Sequence, residues 1–270
     1  MELLKCKAES PQTADALKTF DRIELKIYSS HQIIGQEHVT NGTELMKYSP
    51  GTSFSVILGA LLPLVCGSLA CAQDTGFYGK ADMGGGVTMD TDLKSFFGPV
   101  SSGSEVKFDP GLRFGLAAGY QFTDWFALEA EIGGMYTEID EITDATYLDA
   151  WFSSVPFLVN ARFQYRNASP LTPYIGAGIG GAASIIDMEY VELNGVGTSG
   201  TSSDAVFAWQ AFAGLQYNLN EQMSLSLEYH FVWTDAPSWE TDYYHGTHGD
   251  SLSFGEIESH SLSLAFRCRF

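Results

Sequence analysis

From residue 73 to residue 270 the apolar residues recur with a period of two, segment after segment, and no window carries a persuasive helical period. Successive side chains of a strand point to opposite faces, so this chain is committed to sheet with one greasy and one polar side. The clearest segment, 222–233, sets Met223, Leu225, Leu227, Tyr229, Phe231 and Trp233 against Ser224, Ser226, Glu228, His230 and Val232. The same alternation runs through 112–122, 126–136, 155–165 and 260–270. Weaker versions occupy 76–86, 173–187 and 206–219; in 173–187, Gly and Ala leave the facing open. The total is eight strands.

The connections alternate in length. Short turns follow the second, fourth and sixth segments, at Thr123-Asp124, 167–172 and Asn220-Glu221. Long polar links are expected near 87–108, 137–152, 188–205 and 234–258. Short turns at one end and long loops at the other are the asymmetry of a membrane-spanning barrel, and strands of ~9–11 residues match a tilted crossing of the hydrocarbon layer.

Alternation does not say which face looks outward, and a soluble lipocalin-like barrel uses the inverse arrangement. Three features favour apolar-out. Rings gather near strand ends on the apolar face, at Tyr120, Phe122, Phe126, Tyr136, Tyr165, Tyr217 and Trp233, as an aromatic girdle requires. The other face mixes charges that could pair in a narrow lumen: Lys80, Arg113, Arg162, Arg267 and Arg269 with Asp82, Glu129, Glu131 and Glu228. The chain also ends on an apolar-face aromatic, Phe270. The fold expected is all-β, an eight-stranded antiparallel up-and-down transmembrane barrel over residues 73–270.

Upstream, Met46 and Lys47 open a short polar stretch before an apolar run, 55–70, and Ala70-Cys-Ala72. A basic start, an apolar core and small-x-small are the layout of a secretory signal peptide over 46–72, cleaved after Ala72. The run of ~16 residues falls short of a spanning helix. A lipoprotein reading would lipidate Cys71, but Ser68 and Leu69 fit it poorly. Residues 1–45 are then read as an N-terminal extension ahead of the true start at Met46. The four cysteines have no zinc-ligand spacing, and a barrel closes through its hydrogen-bond ladder without a disulfide.

The net charge is −19, which excludes nucleic acid as a partner. The surplus lies beyond residue 72, where 26 acids face 8 lysines and arginines. Most of those acids fall in the expected long loops.

The mature segment resembles the small outer-membrane β-barrel family, the opacity-protein and OmpA-like barrels. The likeness is carried by Gly76-Phe-Tyr-Gly79, by Gly115 to Phe122 followed by Thr-Asp-Trp-Phe126, and by Pro173-Tyr-Ile-Gly-Ala-Gly-Ile-Gly180. It ends in Ser259 to Phe270, which is similar to the closing strand read by the barrel-assembly machinery, with Phe266 and Phe270 as its signal. Cys268 and Ala265 depart from the usual aromatic and Gly there. The resemblance implies a monomer in the bacterial outer membrane, contacting lipid, with a structural, adhesion or surface-binding role in its exposed loops. Divalent cations or an extracellular ligand would meet the acidic loops; the blander reading is that the acids keep the surface soluble. Eight strands leave no room for a general diffusion pore.

A membrane-face lipid-modifying enzyme is the competing class. His260 beside Ser259 and Ser261, and His245-x-x-His248, are its candidates. Neither has the partner spacing of a recognised barrel hydrolase, so no catalytic residue, metal or cofactor is assigned.

Overall fold

The computed structural model describes residues 75–240 and 251–270. The expected extension over 1–45, the signal peptide over 46–72 and the His245-x-x-His248 motif lie outside the described residues. Twelve strands form in chain order: β1 (Gly76–Thr88), β2 (Thr91–Phe96), β3 (Glu105–Phe108), β4 (Gly111–Gln121), β5 (Phe126–Ile142), β6 (Ala145–Gln164), β7 (Leu171–Leu193), β8 (Val196–Asn218), β9 (Met223–Thr234), β10 (Ser238–Trp239), β11 (Leu252–Phe254) and β12 (Ile257–Arg269).

Eight of them close a ring in the order β1-β4-β5-β6-β7-β8-β9-β12, every neighbour antiparallel. Closure falls between first and last strands, where Ala81 pairs with Phe266 and Met83 with Leu264. All eight segments read from the alternation become these strands. Closure leaves the ring without an open edge, the one sheet arrangement that hydrocarbon tolerates.

Two of the expected long loops are corrected. The links near 137–152 and 188–205 are continuations of strand, and β7 and β8 run 23 residues each. The β7–β8 hairpin is closed by Asn194 and Gly195, both at positive φ (53° and 78°), the left-handed pair that a two-residue turn of primed type needs. Asp144, at φ 65°, turns β5 into β6. A crossing uses only ~9–11 residues, so these strands continue far past it. The other two long links supply β2 and β3, and β10 and β11, which pair along the extended edge of β5 in the order β3-β2-β11-β10. The extension and these short strands form a cap at one end of the barrel.

The two zones obey opposite rules. In the barrel the outward residues are apolar and exposed, Leu264 60%, Val159 59% and Ile179 65% among them, whereas Glu129 and Arg162 are each 1% exposed. A continuous exposed apolar belt suits hydrocarbon and not water, which removes the lipocalin-like alternative. In the cap the inward face turns apolar. Phe96, Val106, Ile139, Phe152, Ile186, Met188, Trp239 and Phe254 pack into one buried core, and the indole N–H of Trp239 donates to the Ser184 carbonyl at 2.9 Å. One strand shows the change: inward from β6 come Gln164, Arg162 and Asn160, then Leu158, and finally Phe152 and Ala150.

Candidate functional site

The inward face of the barrel brings together eight of the nine charged residues picked out from sequence. Four cations, Lys80, Arg113, Arg162 and Arg267, share a buried interior with four carboxylates, Asp82, Glu129, Glu131 and Glu228. The Lys80 ammonium lies 3.1 Å from Glu228 and 3.5 Å from Glu129. Arg113 reaches Glu131 at 2.8 Å and Asp82 at 3.3 Å, and Arg162 reaches Glu129 at 3.5 Å. Arg269 stands apart, half-buried, on a polar cavity of about 630 Å³ at the short-turn mouth, beside Gln164 and Gln222.

Neutral groups complete the web. The hydroxyls of Tyr78 and Tyr174 donate to Glu129 at 2.7 Å and to Glu228 at 2.6 Å. The amides of Asn160 and Gln210 donate to Glu131 at 2.6 and 2.9 Å. The guanidinium of Arg162 lies over the Tyr174 ring at 3.8 Å, and that of Arg267 over Tyr78 at 3.4 Å. An Arg113 N–H donates to His230 Nδ1 at 3.2 Å; since guanidinium only donates, the ring proton sits on Nε2 and is given to Glu228 at 3.0 Å. The lysine and three arginines thus stand four against four with the carboxylates.

Glycines make room for this web. Across the ladder Tyr78 faces Gly119, Asp82 faces Gly115, Asn160 faces Gly178 and Tyr174 faces Gly214. A Cβ at any of those glycines would overlap its partner's side chain. Sequence reading passed over Tyr78 and Tyr174, although each has the same parity as the charged residues of its sheet face.

The ring residues sort to the two rims of the belt. At the short-turn rim Phe77, Tyr120, Phe122, Phe126 and Phe163 form a chain of ring contacts with centroids 4.8–5.8 Å apart. Tyr165 and Tyr217 stand exposed on the same rim. At the cap side Tyr136 stacks on Trp151 at 5.1 Å, and Trp233 pairs across the ladder with Trp209. Phe77, Trp151, Phe163 and Trp209 were not among the rings singled out. Phe266 is partly buried and Phe270 exposed at the end of the closing strand. His260 and its neighbouring serines lie on opposite faces: its ring meets Phe231 at 5.1 Å and the Tyr229 hydroxyl at 2.6 Å on the outer wall, while Ser259 and Ser261 are buried inside. No serine–histidine pair forms there.

The outer surface of the cap is acidic. Of the eight basic residues beyond position 72, only Lys94 and Lys107 are on it, each already paired, with Asp92 at 2.6 Å and Glu141 at 2.7 Å. The hydrogen bond to Glu141 raises the Lys107 pKa above its ordinary value. No group of three or more His, Cys, Asp or Glu placed to hold a metal occurs among the described residues.

The family model for the outer membrane protein beta-barrel domain matches residues 58–270. The chain is similar to outer membrane protein PagN of Salmonella typhimurium, 24% identical over 148 residues, 49% of this chain and 61% of PagN, so it spans about three fifths of that relative's length. Among solved structures it is similar to the outer membrane protein OprG from Pseudomonas aeruginosa, at 14% identity, 72% of this chain, 97% of that one and a TM-score of 0.50. It is also similar to Neisserial surface protein A, at 19% identity, 72% and 97% coverage and a TM-score of 0.44.

Proposed function

The chain belongs to the outer membrane protein beta-barrel domain family, and on that premise we propose that this outer-membrane protein is a closed barrel which works through its acidic cap, in surface binding or adhesion, rather than as a pore or an enzyme. The observation that carries this is the sealed interior. Below, paired charges and amides fill the lumen; above, the buried core around Phe152, Ile186 and Trp239 lies across it. Among the described residues this leaves neither a wide lumen nor a polar exit past that core, and eight strands leave only enough space for side chains. The long hairpins are then a pedestal that lifts a charged surface away from the lipid.

In the same reading the two rims of rings are the girdles that hold the barrel at the lipid boundaries. Phe266 and Phe270 are the residues that the assembly machinery reads, and residues 46–72 are the export signal. The carboxylates of the cap are also where divalent cations would be held, bridging the surface to a partner.

Two measurements test it. Purified barrel in planar bilayers is expected to show no sustained conductance; steady ohmic channels would reject the sealed interior. Cells whose β5–β6 and β7–β8 hairpins are cut back to the belt are expected to keep the folded barrel and lose surface binding. Unchanged binding would take the role away from the cap.

A further inference from the structure

Exposed rings in the belt are accounted for by lipid; two exposed rings among the described residues of the cap are not. Tyr147 on β6 and Tyr190 on β7 meet edge-to-face, centroids 5.4 Å apart, and stay 54% and 41% exposed. Tyr147 stands four residues beyond Trp151, roughly 13 Å further along the strand from the stacked pair at the rim, and Tyr190 pairs with Asp149 between them. Tyrosine in that position gives up the burial that its ring would gain elsewhere in the fold.

The register surrounds the rings with carboxylates. Tyr190 pairs with Asp149, the Tyr147 position with Glu192, and Glu189 is exposed beside Tyr190. The Tyr190 hydroxyl donates to Glu192 at 3.0 Å, which orients the ring. Among the described residues the cations that lie over rings, Lys80, Arg162 and Arg267, are all inside the barrel. Lys94 and Lys107 are engaged by Asp92 and Glu141. The two tyrosine faces thus have no cation of their own, in a field that attracts one.

We propose that the Tyr147–Tyr190 face is the docking surface for an arginine-bearing segment of a partner protein, with guanidinium planes on the rings and Asp149, Glu189 and Glu192 taking the charge. Arginine suits this better than lysine because its plane stacks on a ring and still presents donors to carboxylates at its edge. The same field repels sulfated or phosphorylated polymers. This proposal rests on the surface-binding reading and narrows it to one partner chemistry and one face.

The test uses the whole protein in lipid nanodiscs and fluorescein-labelled nona-arginine, read by anisotropy at about 0.15 M salt, where surface charges more than about 8 Å apart are largely screened. Wild type is expected to bind nona-arginine and to ignore nona-glutamate. The Tyr147→Ser/Tyr190→Ser variant should bind roughly tenfold more weakly, from about three- to fivefold per exposed ring. Tyr147→Phe/Tyr190→Phe keeps the rings and should bind as wild type, and Asp124→Asn/Glu221→Gln removes two charges at the short-turn end of the barrel with little effect. All of these sites are exposed, and heat-modifiable gel migration confirms that each variant is folded. Equal binding by the serine variant and wild type would overturn the ring face while leaving a cap that binds by charge alone. No binding by wild type would overturn the arginine chemistry, and the hairpin-truncation experiment reports separately on whether the cap binds anything.

Discussion

Removing two partnered charges from the barrel interior should cost less than the sum of removing each alone. Glu228 is the sharpest choice, since it accepts from Lys80 at 3.1 Å, Tyr174 at 2.6 Å and His230 at 3.0 Å. Glu228→Gln keeps the volume but leaves the buried Lys80 with Glu129 alone, at 3.5 Å. Two charges about 3 Å apart attract by about 5 kcal/mol at an effective dielectric of about 20. Part of that returns when the variant relaxes, so the expected loss is about 3–5 kcal/mol, the usual result of orphaning a buried charge. Lys80→Met should cost a similar amount by unbalancing Glu129 and Glu228. Lys80→Met/Glu228→Gln restores neutrality and should cost clearly less than the two single losses added, a coupling of at least ~1–3 kcal/mol. The assay is urea unfolding in lipid vesicles, followed by tryptophan emission and by the shift between folded and unfolded gel bands. Additive losses below about 1 kcal/mol each would show a water-filled lumen in which these charges are screened, and the sealed-interior argument would fail with them.

Three further outcomes follow from the same geometry. Gly178→Val drives a side chain into Asn160 and should cost about 1–3 kcal/mol by overpacking, whereas Gly85→Ala, whose added methyl meets nothing nearer than 3.7 Å, should be near neutral in the same urea assay. Phe152→Ala in the cap core should lose about 3–5 kcal/mol from the cap and open it to added protease on intact cells, while the belt strands stay protected; uniform loss of protection would mean that cap and belt melt as one unit. Glu141→Gln should bring the Lys107 pKa down toward that of an ordinary lysine in an NMR titration. In the wild type the stabilisation from that pair is fully present below the unfolded lysine pKa and fades as pH rises through the raised folded value; an unchanged titration would detach Lys107 from Glu141.

The site was legible to the extent that parity is local. Lys80, Asp82, Glu129, Arg162 and Glu228 were placed on the inner face because each alternates with apolar neighbours on its own strand. Which of them meet is a question of register. Tyr78 reaches Glu129 from a neighbouring part of the wall, 51 residues away in sequence, and the room for its ring comes from Gly119 on β4. Nothing adjacent to Tyr78 in the chain announces that gap. The Asn194-Gly195 turn was a signal present in the sequence and passed over: it marks a hairpin inside a stretch taken for loop, because the Gly, Ser and Thr around it dilute the alternation.

What the sequence determined unaided was the period, and with it the strand count, the two faces and the ring that eight such strands must close. What only the tertiary structure decided was the height at which the faces exchange character. A strand of 23 residues passes through two solvents; within the hydrocarbon the charged side must turn inward, and above it the apolar side must do so. Alternation has the same period in both zones. The inversion between Arg162 and Phe152 is therefore visible only once the neighbouring strands show where the ladder leaves the lipid and the cap folds over its own core.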